Sequence, residues 1–281
     1  MTPWPNLWPT LSAPLSNPVL RFVAAGMGVQ STTLLLAAAR GDVGPMPDCA
    51  IFADTRWEPK RVMEHIERIR PLRPFPLHTI TRGDLRAAAI EGEEPEDRFA
   101  VPFHVRRGDG KLTIGKRQCT SRYKIIPIKQ KVRDILGVGP RGYIAPDSVE
   151  QWVGISTDES HRMAPSGVAY IRNRHPLIEA DMSREACKRW LAERQQRAVK
   201  SRCRGCPFQT NDDWRDLRDN DPEEWAMTIA DDRAIRTRGS SPDAQQFMHF
   251  SGVPLEDADL SVRVHPNQLG FDLHCGGACG S

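Results

Sequence analysis

No apolar stretch of this 281-residue sequence is long enough to cross a bilayer; the longest, AAGMGV and LLLAAA, are short and interrupted. The first eighteen residues carry five prolines but neither a basic cluster nor a continuous apolar run, so they lack the makings of a secretory signal. They predict an irregular arm over 1–18, docked through Trp4 and Trp8 or left as a disordered tail. Charge of either sign is nearly balanced at a net +3, so composition demands no nucleic-acid partner; the stretch from Arg106 to Lys131 is the one local concentration of cations. Hydrophobic residues at 39% and charged residues at 27% leave no room for wholesale disorder. Internal repeats are lacking too. These absences predict a soluble, cytoplasmic protein with no membrane partner. In that reducing compartment the seven cysteines are poor disulfide candidates, and clustered ones point to metal or catalysis.

What is present is a strand–helix alternation. Leu20 to Gly26 (LRFVAAG) predicts a buried strand ending on glycine, and Ser31 to Gly41 a helix with Ser31 near its start and Gly41 beyond its end. Cys49 to Asp54 predicts a second strand, followed by a helix in which Val62, Ile66 and Ile69 recur at helical spacing. Phe75–Ile80 and Ser148–Ser156 predict further strands. A helix is expected after Pro127 and another over Met182–Gln196, capped by Ser183. Residues 82–118, rich in Gly, Arg and acidic side chains, predict a long irregular segment facing the site. The alternation predicts an α/β fold with a doubly wound parallel sheet, organised as the arm 1–18, a nucleotide-binding domain over 19–200 and a Cys-rich C-terminal region over 201–281 packed on the nucleotide site.

The turn AAGMGVQS joins strand to helix through glycines, which turns backbone N–H groups and the positive end of a helix dipole toward an open pocket. A phosphate or sulfate suits such a pocket, although a strand-to-helix turn with no ligand has the same spacing. Neither GxxxxGK[ST] nor GxGxxG is present. The segment Gly26-Met27-Gly28-Val29-Gln30-Ser31 resembles the PP-loop of the adenine-nucleotide α-hydrolase superfamily, SGGxDS, and is closer to the SxGxQS form of phosphoadenylyl-sulfate (PAPS) reductases. Asp54-Thr55-Arg56-Trp57 is similar to their DTG segment. Trp152, Gly154, Ser160 and Arg162 resemble their WxxG and the Ser and Arg that follow, and Pro176-Leu177-Ile178 their PLL. The matches run in the family's order from about residue 20 to about residue 206.

The resemblance implies that ATP or PAPS binds through Gly26, Met27, Gly28, Gln30, Ser31, Asp54, Thr55, Lys124, Gly154 and Arg162, with Mg2+ offsetting phosphate charge. Two departures bear on the substrate. Ser156 and Thr157 stand where the reductases carry two arginines, leaving Arg162, Arg172 or Arg174 as substitutes. The reductases' ECGLH is absent, and His274-Cys275-Gly276 is its nearest counterpart. Asp158 and Glu159 are acid/base or Mg2+ candidates, with a loop or cap role as the alternative.

Cys203-Arg204-Gly205-Cys206 is a CxxC turn whose thiolates can converge on one metal or act as a redox pair, and CGGAC supplies a second pair, Cys275 and Cys279. Four-cysteine zinc, a metal-free dithiol relay and unliganded thiols all fit that spacing. RQCTSRYKIIP is similar to the RxCCxxxKxxP of iron–sulfur adenylyl-sulfate reductases, with Thr120 in place of the second cysteine. That resemblance implies a 4Fe-4S cluster on Cys119, Cys203, Cys206 and Cys275, with Cys279 the alternative fourth ligand. Cys49 and Cys187 read as packing residues. Three functions are the resulting expectations: a PP-loop enzyme that adenylates an acceptor, a nucleic acid among the candidates, and transfers sulfur from a donor protein; a thiol-dependent PAPS or adenylyl-sulfate reductase using Cys275 or Cys279 and an electron donor; or a non-catalytic nucleotide module with structural zinc.

Overall fold

The computed structural model describes residues 14–92, 100–238 and 243–261; Trp4 and Trp8 of the expected arm lie outside them. At its centre lies a parallel sheet of five strands, β1 (Leu20–Ala24), β2 (Cys49–Ala53), β3 (Leu77–Ile80), β6 (Val149–Val153) and β7 (Ile171–Arg174), in the order β3-β2-β1-β6-β7. The period-two alternation of a strand sorts its side chains onto the two faces. Val23, Ala50 and Phe52 pack under α1 (Val29–Arg40), α2 (Lys60–Ile69) and, through Cys187 and Leu191, α6 (Arg184–Glu193). Leu20, Phe22, Ala24, Cys49, Ile51 and Ala53 face the other way, onto Ile128 and Val132 of α4 (Ile126–Ile135). Both faces being covered explains why β2 is apolar throughout. The doubly wound α/β class expected from the sequence is the class observed.

The helix ends obey local chemistry. Gly41 closes α1 at φ 79°, a left-handed conformation that glycine adopts without strain, and its N–H reaches the Ala37 and Ala38 carbonyls. Ser183 caps α6 as predicted, accepting from the Ala186 N–H at 3.1 Å.

The segment 82–118 is a correction: it is not irregular throughout. It contains α3 (Leu85–Ile90) and the hairpin β4 (His104–Arg106) and β5 (Leu112–Ile114), which pairs through β4 with β8 (Gln245–Phe247) in a small antiparallel sheet. A separate core joins this part to α7 (Asn211–Asn220) and α8 (Pro222–Arg236) around Trp57, Phe103, Tyr123 and Trp214. The short α5 (Pro176–Glu179) follows β7. No helix among the described residues is long and apolar enough to cross a membrane.

Chain direction positions the site. From β1 the chain builds outward to β2 and β3 on one side and returns to β6 and β7 on the other, so the order reverses between β1 and β6. In open α/β sheets the carboxyl ends of the strands at that reversal form the ligand crevice.

Candidate functional site

The loop after β1 lies at this crevice. Its left-handed residue is Met27 (φ 60°), whose fully buried side chain packs in the core under α1 and so holds a conformation rare outside glycine. Gly28 is the extended N-cap of α1, with no side-chain cap and no acidic residue in the first turn. The helix therefore presents uncapped N–H groups and the positive end of its dipole. Gly154, just past β6, lies against this turn: a Cβ there would stand 3.0 Å from the Ser31 nitrogen and Cα, so only glycine lets β6 approach so closely. Lys124 lines a small cavity with Ala25 and Gly26. It arrives on a π-helical turn, Ser121–Ile125, that runs into α4.

Gln30 points away from the loop into a polar network. Its amide donates to Glu159 at 3.0 Å and Ser156 at 3.3 Å, while its carbonyl accepts from Arg184 at 3.1 Å. Glu159 also takes Arg162 at 2.6 Å and lies 3.9 Å from Arg184. Two arginines thus stand beside the loop, held by one carboxylate. Of the predicted substitutes for the reductases' arginine pair, only Arg162 is placed here. Arg172 pairs with Asp147, and Arg174 pairs with Glu179, stacks on Trp152 and reaches the Gly44 carbonyl. Arg184 went unread because it looks like an ordinary first-turn residue after a serine cap. Asp158 accepts from the Arg184 backbone N–H at 2.8 Å. Burial works against ionisation of its carboxyl, but hydrogen bonds from Arg184 and Ser156 outweigh it and hold the pKa low.

At the end of β2, Asp54 accepts from the Arg56 N–H at 2.7 Å. Thr55 is fully buried and meets Glu58 at 3.1 Å and the Cys203 sulfur at 3.3 Å. Cys203 donates to Glu58 at 3.5 Å, and Lys124 lies 3.7 Å from the same carboxylate. Burial, then the Glu58 charge, pushes the Cys203 thiol well up, so it stays protonated in this arrangement. Glu58 is a site residue that the sequence did not single out.

The CxxC turn is seated by side chains from far along the chain. A Cβ on Gly205 would run into the Trp57 ring, so the turn lies flat on that indole. Arg204 donates its backbone N–H to the Trp57 carbonyl at 2.8 Å and its guanidinium to Asp231 at 2.9 Å. Trp57 donates its ring N–H to the same carboxylate at 3.0 Å, and Arg86 pairs with it at 2.8 Å. Cys119 and Cys203 both pack against the core around Trp57, and the Cys206 N–H closes the turn on the Cys203 carbonyl at 3.0 Å. Among the described residues no group of three or more His, Cys, Asp or Glu side chains is disposed to hold a metal ion. Cys275 and Cys279 lie outside the described residues. Cys49 and Cys187 are buried in the two faces of the sheet, and burial raises their pKa values to about 12 and about 11.

No protein-family model and no curated protein matches the chain. Among solved structures it is similar to that of phosphoadenylyl-sulfate (PAPS) reductase from Candida auris in its phosphate complex, at 14% identity over 65% of this chain and 76% of that one, with a TM-score of 0.42.

Proposed function

We propose that the chain is a PAPS reductase-like PP-loop enzyme of sulfur chemistry that binds ATP, adenylates an acceptor and transfers sulfur to it. The observation that carries the reading is the start of α1, an uncapped helix N-terminus at the sheet's reversal point with Gly154 clearing space against it. Phosphates seat on the N–H groups of Gly28 to Ser31, beside Lys124. An acceptor oxygen attacks the α-phosphorus, the bond from that phosphorus to the α,β-bridging oxygen breaks, and pyrophosphate leaves with that oxygen and the electron pair. Preorganised N–H dipoles suit this chemistry, since charge builds on phosphate oxygens. Mg2+ fits a site with one open carboxylate and substrate phosphates, and Asp54 is that carboxylate. An iron–sulfur cluster supplies, when bound, a sulfur- or electron-carrying centre; Cys119, Cys203, Cys206 and Cys275 would hold it, with Cys279 left as a transfer thiol. The described cysteines do not by themselves complete such a ligand set.

Calorimetric titration with ATP and Mg2+ tests the loop. Wild type should bind, and Gly28→Val should lose binding while keeping its circular dichroism spectrum; unchanged affinity in a folded variant overturns the assignment. Anaerobic purification with iron, sulfide and zinc analysis tests the centre. Iron should fall in Cys119→Ala, Cys203→Ala and Cys206→Ala alike. Stoichiometric zinc retained by Cys119→Ala, with no iron in wild type, would replace the cluster by a zinc site.

A second reading, a reductase of PAPS or adenylyl sulfate, gains support from the placement of Arg162 and Arg184 beside Gln30, where two arginines could clamp a sulfonucleotide. Against it stands Glu159, whose carboxylate faces both and offsets one of their two charges. Preference for PAPS over ATP, with sulfite released under a thiol reductant, would establish this second reading.

A further inference from the structure

The chain's charge is partitioned far more sharply than its net value suggests. Residues 100–146 contain eleven lysines and arginines and only two acidic residues, a net +9 in a chain whose total is +3, so the rest of the sequence carries −6. Such a segment repels itself unless an anion faces it. It comprises the β4–β5 hairpin, the π-helical turn, α4 and the loop before β6. Of its cations, Arg107, Lys111, Lys116, Lys129, Lys131 and Arg141 pair with no carboxylate among the described residues.

Three of them make a short track, Lys129 and Lys131 on the two flanks of α4 and Arg141 in the loop that follows it. Along α4, Lys129 extends toward Gly167 beside β7, while Lys131 flanks the opposite side, close enough to join burial in lowering the pKa of His78 on β3. Below α4 the loop carries Arg141 and, two residues on, Tyr143 with 81% of its surface in solvent, an aromatic ring with nothing to pack on. Above α4 the same run passes Lys124, which lines the cavity of the nucleotide loop. The ten residues of α4 span about 15 Å between Lys124 just before its start and the loop of Arg141 and Tyr143 beyond its end.

We infer that this surface binds a single-stranded nucleic acid, laid along α4 with its phosphates on the unpaired cations and a base stacked on Tyr143. The inference rests on the proposed reading only for the step after binding: a strand on this track runs to the adenylation site and is the acceptor. Repeating negative charge is what a line of unpaired cations fits, and an exposed ring beside an arginine fits an unstacked base rather than a duplex. A lipid surface would need a cluster of apolar side chains among the cations. On α4 the exposed Ile126 and Ile135 are separated by exposed Gln130 and Asp134.

Fluorescence anisotropy of a labelled oligothymidylate of about 16 nucleotides, titrated with the full chain without ATP, tests the inference. Binding should weaken with salt at a slope of about −3 in log–log form, as expected for about four neutralised phosphates on a single strand. Lys129→Glu with Lys131→Glu should weaken it at least about tenfold, and Tyr143→Ala about tenfold. Lys188→Glu, on α6 outside the segment, should leave it unchanged. Absence of binding at low salt, equal loss in Lys188→Glu, or tighter binding to duplex or to phosphatidylserine vesicles overturns the inference. ATP affinity measured on the same proteins separates the two readings. Intact ATP binding without oligonucleotide binding removes the surface and keeps the loop, and the reverse removes the loop and keeps the surface.

Discussion

The two halves of the candidate site are built on different principles. The nucleotide loop is made by backbone: an extended glycine cap, a left-handed Met27 and the close approach of Gly154 leave helix N–H groups bare. The CxxC turn is made by side chains. Trp57, Arg86 and Asp231 come from three separate parts of the chain and hold the turn, through its own Arg204, on one buried carboxylate. A backbone-built site loses ligand when it is damaged, whereas a side-chain network around a buried charge loses the fold.

The largest effect should therefore come from Asp231. Asp231→Ala leaves Arg204 buried with its charge uncompensated and the Trp57 ring N–H without its acceptor, and should cost about 3–5 kcal/mol. Urea unfolding at neutral pH measures it. A loss below about 1 kcal/mol would mean that the network does not anchor the turn. On the other side, Gly154→Val forces a branched side chain against the Ser31 backbone. We expect about 3 kcal/mol of strain, expressed as loss of ATP binding in a protein whose CxxC half remains folded.

The same contrast explains what was legible in the sequence. Local backbone grammar was readable: β1 with its glycine turn, α1 ending at Gly41, the apolar spacing of α2, and the Ser183 cap all stand where they were expected. β7 was not, because its sequence IRNR has no apolar alternation. Its charges are satisfied by Asp147 and Glu179, which no local window reveals. The β4–β5 hairpin was hidden among glycines and charges, although Asp109-Gly110 between Arg107 and Lys111 is a turn signal. Arg184 and Asp231 act through partners distant in sequence, and Glu58 reaches Lys124 and Cys203 as well as the local Thr55; each alone looks like a solvated charge.

Acid should separate the halves as well. Thr32 of α1 is hydrogen-bonded at 2.8 Å to His65 of α2, whose other ring nitrogen accepts from Arg68 at 2.7 Å. Arginine can only donate, so neutral His65 carries its proton on Nε2. Burial first, then Arg68, lowers its pKa from 6.5 to about 4. The unfolded chain then binds a proton between those values that the folded chain does not, so the His65 contribution is flat above pH 6.5 and falls from there toward pH 4; His175, likewise lowered to about 4 by burial, adds a slope of the same sign. The loss should be roughly 2 kcal/mol after allowing for screening. His65→Gln should reduce that slope in urea titrations across the same window, leaving the His175 share, and an unaltered slope would remove His65 as a source.

The smallest and most selective effect concerns Glu159, where the loop's own side-chain network decides which anion it accepts. Arg162 and Arg184 flank Gln30 and share this one carboxylate, so an incoming sulfate competes with it for them. Glu159→Gln keeps the shape and the hydrogen bond to Gln30 while removing the negative charge beside both arginines. PAPS affinity should then rise about tenfold, equivalent to about 1.4 kcal/mol, with ATP–Mg2+ affinity moving less, since the proposed seat of its phosphates is the backbone N–H groups. Competition titration of the two nucleotides against wild type and variant reads the ratio directly. A ratio that does not move would mean that the arginines serve only to brace Gln30. A variant that binds PAPS more tightly and releases sulfite would show that one carboxylate separates the two proposed chemistries.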